Sequence, residues 1–183
     1  MTPIVHEFDW PDRVVIGTIG EPGSRTFYLQ VRSGDRMISI ALEKQQSALL
    51  GEKIEELLDQ LKSHENNRYS VPEATPIELV DNEPLEQPVD EEFRTGTMSL
   101  GWDPRNAQVV IEAFPLIDDE DQDDPDFDNS QPTHMLAVRI PVGTAQAFAM
   151  RTSEVVGAGR PICALCGTPI DASGHECVLP GDS

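Results

Sequence analysis

The sequence predicts an α+β fold in which two β-β-β-α units pack together and a small zinc-binding tail follows them. Three observations lead to this prediction. Short segments rich in β-branched and aromatic residues alternate with turn formers, two longer segments are typical of helices, and all three cysteines fall near the carboxyl end. The 183 residues are enough for one ordinary domain or for two small units that share a core.

The first unit is expected to span residues 1–66 and to hold three strands and a helix. Strands are predicted at 14–20, 26–31 and 36–42, because Val, Ile, Thr, Phe and Tyr are frequent there and turn formers separate the segments. In residues 45–64, leucine and isoleucine recur at three- and four-residue steps while charged residues fill the gaps. This periodicity predicts an amphipathic helix with one apolar stripe.

A linker and a second unit are expected next. Four prolines among many acids in residues 67–92 predict an extended linker that crosses the surface. The second unit, residues 93–156, repeats the order of the first. Its predicted elements are three strands and a helix with Thr144 as its N-cap, at 97–102, 107–114, 135–140 and 144–156.

The repeated order suggests an internal duplication. Residues 20–24 (GEPGS) precede one strand much as residues 101–105 (GWDPR) precede another. A three-stranded sheet with one helix leaves an apolar face or edge, which a second copy could bury. Two unrelated meanders would give the same pattern, and the sequence leaves both interpretations open.

A dense acidic run interrupts the second unit at residues 118–131. The expected structure is a solvated hairpin loop whose charges repel one another and discourage strand-edge aggregation. A calcium site is disfavoured, because the run lacks the fixed acidic spacing and the central glycine of a helix-loop-helix calcium loop.

The tail, residues 157–183, carries the strongest chemical motif. Cys163, Cys166, His175 and Cys177 form a Cys-x2-Cys-Gly step followed by His-x-Cys, which predicts a zinc knuckle. Four protein ligands leave no open coordination position, so the zinc is expected to be structural rather than catalytic. The metal would supply most of the folding free energy of so short a segment.

Other readings of the tail remain. The cysteines could form a redox pair or stay as free thiols, although a redox Cys-x2-Cys normally opens a helix in a βαβ unit, whereas Pro161 precedes this motif. The single residue between His175 and Cys177 is a close spacing for two ligands, so water, Glu176 or Asp171 could replace the histidine.

Charge limits the classes of partner. The 33 acidic and 13 basic residues give a net charge of −20, which disfavours binding to nucleic acid or to anionic membranes. The amino-terminal segment lacks a basic and apolar leader, and no window approaches about 18 apolar residues, so a cytoplasmic protein is expected. Solubility or adaptation to salt is the simplest explanation of the charge, and an affinity for basic proteins is the alternative. A protein partner is predicted, with a small-molecule ligand as the alternative.

The remaining candidates for chemistry are isolated. His6, His64 and His134 lie at element edges without an acid or nucleophile at diagnostic spacing, so they are interpreted as surface or boundary histidines. Five aromatic residues are interpreted as core residues, with the rim of a cleft between the units as the alternative: Trp10, Phe27, Tyr28, Trp102 and Phe114.

The chain resembles a known family through three stretches: HEFDWPDRVVIGTIGEPGSRTFYLQ, FRTGTMSLGWD and RPICALCGTPIDASGHEC. It is similar over nearly its whole length to an actinobacterial family that is catalogued as a conserved domain of unknown function. The resemblance implies no activity. It implies gene neighbours that include a mycothiol-pathway cysteine ligase, a histidine-phosphatase-like protein and a kinase-like protein, which is an association only.

Two functional hypotheses follow. The first is a non-catalytic binding or adaptor protein that is braced by a structural zinc, since no nucleophile or acid-base pair is evident in the sequence. The second is an enzyme of thiol or phosphate metabolism that acts on a small metabolite in a cleft between the units. Clustered polar side chains with perturbed pKa values in a deep pocket would favour the second hypothesis, and a shallow apolar groove would not.

Overall fold

The computed structural model of the protein describes residues 4–21, 24–64, 67, 69, 71–116 and 134–157. In these residues seven strands form one mixed sheet in the order β1-β7-β6-β5-β4-β3-β2, with two helices. The elements are β1 (Ile4–Asp9), β2 (Arg13–Ile19), β3 (Thr26–Ser33), β4 (Arg36–Leu42), α1 (Lys44–Ser63), a 3-10 turn (Ile77–Leu79), β5 (Glu91–Asp103), β6 (Gln108–Pro115), β7 (His134–Pro141) and α2 (Val142–Gly157).

The predicted α+β class is confirmed, and the two predicted meanders form one sheet. Strands β2, β3 and β4 pair antiparallel, as do β5, β6 and β7, and β4 pairs with β5 in parallel. An origin by duplication stays a prediction. The zinc knuckle and the acidic loop 118–131 lie outside the described residues.

Strand β1 was not predicted from the sequence, and one predicted cap is wrong. β1 pairs in parallel with β7, so that Ile4 lies opposite His134. Thr144 does not cap a helix from outside, because β7 ends at Pro141 and α2 begins at the next residue. Thr144 therefore lies inside the first turn of α2.

Helix α1 follows β4 closely and begins with a capping box. The Gln46 Oε1 atom accepts a hydrogen bond from the Glu43 backbone N–H at 2.7 Å, while the Glu43 side chain accepts one from the Gln46 backbone. The buried stripe of α1 faces the core and consists of Ser47, Leu50, Gly51, Ile54, Leu58 and Leu61. A Cβ atom on Gly51 would lie 3.3 Å from Thr152 Cγ2, so the missing side chain allows α1 and α2 to approach closely.

Residues 81–86 of the predicted linker form a strap that packs against β2 and β3. Leu85 is 5% exposed and fills the space above Gly17, where a Cβ atom would lie 2.5 Å from Leu85 Cγ. The buried Gln30 side chain donates to the Glu86 carbonyl at 3.0 Å and accepts from the Glu86 N–H at 2.8 Å. The strap is thereby fixed to the sheet by packing and by paired hydrogen bonds.

Helix α2 covers the edge of the sheet at β2. Arg151 Nε donates to the Ile16 carbonyl at 3.0 Å, and this bond satisfies a backbone acceptor on an end strand of the sheet. Residues from both meanders, from β1 and from both helices share one buried apolar cluster. The two predicted units therefore share a single core.

Candidate functional site

A groove of about 540 Å³ opens between α1, which follows the first meander, and β5, which begins the second. Its apolar lining comes from Leu49, Leu50, Leu57, Met98 and Leu100. Polar and charged side chains stand among these residues, and Gly96 completes the wall: Gln46, Lys53, Glu56, Gln60 and Ser99. The groove is therefore an apolar trough with polar side chains among its lining.

The apolar surface of α1 extends beyond the stripe that packs on the core, and the extra apolar residues line the groove. Leu50 faces the core, whereas Leu49, one position earlier, is 53% exposed. Leu57 is only partly buried, and it packs against the edge of the core cluster. An amphipathic helix normally presents polar residues at such positions, so this part of α1 is apolar beyond its packing needs.

Strand β5 shapes the other wall through an irregularity. The pairing of β5 with β6 shifts register between Thr95 and Met98, and a Cβ atom on Gly96 would lie 2.9 Å from Leu116 Cα. Gln46 Nε2 donates to the carbonyls of Thr95 and Gly96 at 3.1 Å and 3.0 Å. These bonds attach the start of α1 to the irregular part of β5 and set the width of the groove at that end.

A second, more polar cavity of about 630 Å³ lies between β2, the start of the strap and α2. Arg13 Nε donates to Asp81 Oδ2 at 2.6 Å, and Arg13 Nη2 donates to Asp81 Oδ1 at 3.0 Å. Arg151 Nη1 donates to the Asp81 backbone carbonyl and lies 3.7 Å from Asp81 Oδ1. Two largely buried guanidinium groups thus converge on one aspartate.

The electrostatics of this cavity favour structure over catalysis. The hydrogen bond from Arg13 is the largest cause that holds the pKa of Asp81 below its ordinary value, against the opposing effect of burial. Burial lowers the pKa of Arg151, with the charge of Asp81 opposing. A general acid or base works best with a pKa near the working pH, and the pKa of Asp81 moves away from neutrality. The contacts among Arg13, Asp81 and Arg151 therefore hold the strap against β2 and α2.

A third cluster lies where β1, β5 and β7 begin. His6 in β1, Glu92 in β5 and His134 in β7 bring their ligand atoms within 4.8 Å of one another. The two imidazole rings stack with centroids 6.2 Å apart and an angle of 18° between planes, and the Phe93 ring lies 6.4 Å from that of His134. His6 Nε2 lies 3.3 Å from Glu92 Oε1.

The sequence did not reveal this cluster. The sequence predicts His6 and His134 to be boundary residues, because neither has an acid or nucleophile at diagnostic spacing. The parallel pairing of β1 with β7, which brings together residues far apart in the sequence, makes them neighbours. A signal was available in β1, where Ile4, His6 and Phe8 alternate with Val5, Glu7 and Asp9. That alternation fits a strand with His6 on the face of buried Phe8.

The predicted site residues have different outcomes. Cys163, Cys166, His175 and Cys177 all lie outside the described residues, so the zinc site stays a prediction. None of the five aromatic residues lines the groove between α1 and β5. Phe27 is buried in the core as interpreted, Trp102 packs edge-on against Tyr69 at 5.0 Å, and Trp10 is 66% exposed.

Comparison with known families gives one result. The model of a family described as "Protein of unknown function (DUF3090)" matches residues 6–177. The chain belongs to this family. The expected resemblance over nearly the whole chain is thus confirmed, and DUF3090 membership implies no activity. The DUF3090 match includes the His6, Glu92 and His134 cluster as well as the four predicted zinc ligands.

Two further comparisons complete the description of this DUF3090 chain. No curated protein and no solved structure matches it. Within the described part of the chain, neither helix combines the length and the apolar character that crossing a membrane requires.

Proposed function

We propose that this protein is a non-catalytic binding protein that receives an apolar segment of a protein partner in the groove between α1 and β5. The groove itself carries the proposal. It combines an exposed leucine, further partly buried apolar residues and nearby charges, which is the arrangement used when an amphipathic segment docks against a protein surface.

The apolar surface supplies the affinity. Leu49 is 53% exposed, and Leu57, Met98 and Leu100 are partly buried against the core. Complete burial of a leucine or methionine side chain contributes about 1.5–3 kcal/mol, so the remaining exposed area of four such residues could supply several kcal/mol on binding. Such a contribution suits a specific but reversible complex.

The charge of the molecule indicates the kind of partner. With a net charge of −20, the protein attracts basic segments over a long range and repels acidic ones. At the groove, Lys53 and Glu56 pair at 3.2 Å and offset each other, so the net negative charge of the whole molecule decides which segments are attracted. The expected partner segment therefore has apolar residues in the middle and basic residues beside them.

The predicted zinc tail belongs to the same proposal. Cys163, Cys166, His175 and Cys177 would hold one structural zinc, and the ordered tail would brace or extend the contact surface. Zinc binding in such small sites contributes on the order of 10 kcal/mol of gross folding free energy. This part rests on the ligand spacing alone.

The alternative is an enzyme that acts on a small metabolite in the same groove, in keeping with thiol or phosphate metabolism. The lining offers it few catalytic groups, because Gln46, Gln60 and Ser99 are neutral and Lys53 and Glu56 form an exposed ion pair. The polar cavity beside α2 offers an aspartate whose pKa is lowered rather than raised. A binding role accounts for the groove with fewer requirements.

A pull-down with matched variants tests the proposal. Leu49→Glu places a charge in the groove, while Ile77→Glu makes the same change at a residue that is 86% exposed on the 3-10 turn. Wild-type and Ile77→Glu protein should capture the same partner, with basic and apolar residues in its bound segment, and Leu49→Glu should lose it. Added salt should weaken capture, because screening reduces the attraction between opposite charges.

Two results would contradict the proposal. Equal capture by the Leu49→Glu and wild-type proteins would show that the groove is not the contact surface. Retention of a small molecule by wild-type protein in native mass spectrometry, lost in Leu49→Glu, would favour the enzyme instead. Cys166→Ser protein in the same pull-down reports separately on whether the tail contributes to the contact.

A further inference from the structure

Three separate strands bring two imidazoles and a carboxylate to one end of the sheet. His6 and His134 share a face of the parallel pair β1 and β7, where Ile4 is opposite His134 and His6 is opposite Leu136. Glu92 reaches them from the start of β5, a strand that lies two places away from β7 in the sheet. Side chains on paired strands are held more accurately than side chains on loops, which favours a defined site.

The distances suit coordination. In a tetrahedral zinc site with bonds of about 2.0–2.1 Å, adjacent ligand atoms stand about 3.3–3.4 Å apart. His6 Nε2 and Glu92 Oε1 lie 3.3 Å apart, and the three ligand atoms fall within 4.8 Å of one another. Side-chain rotations that move the ligand atoms by little more than an ångström would bring the third ligand to the same spacing.

The surroundings of the His6 imidazole also favour a bound cation. Its Nε2 atom is buried, yet it makes no hydrogen bond within the described part of the chain, and its contact with Glu92 does not have hydrogen-bond geometry. A buried polar atom without a hydrogen bond is costly and calls for a physical reason. A cation between the imidazole and the carboxylate would give that atom a partner.

We propose that His6, Glu92 and His134 bind a divalent transition-metal ion, with zinc as the ion expected. Two histidines and one glutamate are a ligand set that zinc accepts, and they leave a fourth position for water. Glu92 is 37% exposed, so the site is open to solvent on its side. The net charge of −20 further favours a dication over an anion at this place.

This site shares no residue with the predicted tail ligands or with the lining of the groove. The tail set of three cysteines and one histidine would be closed, whereas the His6, Glu92 and His134 set has one open position. Both sites would bind zinc, so a measurement on the wild-type chain alone cannot separate them. The test therefore uses the full chain with the tail cysteines replaced.

The experiment measures zinc binding to the Cys163→Ser/Cys166→Ser/Cys177→Ser protein by isothermal titration and by metal analysis after dialysis. About one zinc per chain is expected, and His6→Gln or Glu92→Gln in this background should weaken binding by more than about 100-fold, beyond the effect of outer-shell changes. His64→Gln and Glu52→Gln are matched controls at exposed positions on or next to α1 and should bind as the background does.

A second readout identifies the ligands. Zinc should shift the imidazole NMR signals of two histidines in the background protein, and Co²⁺ should give the visible absorption of a low-coordinate site. Circular dichroism must show that each variant is folded, and Glu92→Gln, which alters the most exposed of the three side chains, covers the case in which His6→Gln fails to fold. A folded background protein that binds no zinc, or equal binding after Glu92→Gln, would overturn the proposal.

Discussion

The contacts of Arg151 predict a large loss of stability when its guanidinium is removed. The side chain is 8% exposed, donates to the carbonyls of Ile16 and Asp81, and stands 3.7 Å from the Asp81 carboxylate. Arg151→Met keeps the apolar stem and removes every donor. The buried Ile16 carbonyl and the part-buried Asp81 carbonyl then lose their donor, while the Asp81 carboxylate keeps its bonds from Arg13.

The magnitude follows from these contacts. A hydrogen bond from a charged donor contributes about 1.5–3 kcal/mol, so the two bonds to backbone carbonyls amount to about 3–6 kcal/mol before relaxation. Breaking a buried ion pair costs about 3–5 kcal/mol, but the partner here stays paired, so we expect a loss of about 3–4 kcal/mol. For a protein of this size that lowers the melting temperature by about 10 °C.

Urea unfolding followed by circular dichroism measures the loss. The transition midpoint should fall without a change in slope, and Arg105→Met, which alters an exposed turn residue, should stay within about 0.5 kcal/mol of wild type. A cycle with Asp81→Asn should show a coupling energy above about 1 kcal/mol. A loss below about 1 kcal/mol for Arg151→Met would refute the view that this guanidinium joins the strap, β2 and α2.

The remaining predictions concern pH, packing and metal. Because the pKa of Asp81 in the folded protein lies below its ordinary value of 3.8, the ionised carboxylate stabilises the fold above that pH, and this contribution is lost as the pH falls through the folded pKa. The unfolding midpoint of Asp81→Asn protein should therefore change less with pH in this acidic range than that of wild type. Leu85→Ala should cost about 2–4 kcal/mol in urea unfolding, since Leu85 is buried over Gly17, which has no side chain to fill the space left behind. Ile77→Ala on the exposed turn should cost under about 0.5 kcal/mol. Gly51→Leu should lower the free energy of unfolding by about 1–3 kcal/mol, because the new side chain overlaps Thr152. Adding Thr152→Ala should restore part of this stability, and no restoration would show that Thr152 is not the residue in the way. Cys166→Ser should lower the zinc content by about one ion per chain in metal analysis, and an unchanged content would exclude the predicted tail site.

The helices and strands could be predicted because each is determined mainly by residues within its own short segment. The leucines at helical spacing in 45–64 and the β-branched runs on either side predict the helix and strands, and the structure has most of them close to those bounds. The exception is β5, which begins at Glu91 rather than at residue 97 and so takes in the end of the predicted linker. The capping of α1 by Glu43 and Gln46 lies within the same short stretch. Such features depend on residues only a few positions apart.

The arrangement of the elements depends on contacts between distant residues, which the sequence pattern does not contain. Composition suggested an extended path for 67–92, but the strap follows from the fit of Leu85 over Gly17 and from Gln30. Neither His6 nor His134 alone indicates a site in the sequence, because only the parallel pairing of β1 with β7 makes the two residues neighbours. The residues of greatest functional interest were therefore the hardest to find.

The pairing of β1 with β7 also bears on how the chain folds during its synthesis. Ile4 is synthesised long before its partner His134, because β2 to β6 and both the strap and α1 lie between them in the chain. Until then β1 has no strand to join, although β2, β3 and β4 can already form their meander. Such distant pairing slows folding, so β1 would expose Phe8, which is buried in the folded structure, until β7 has been made.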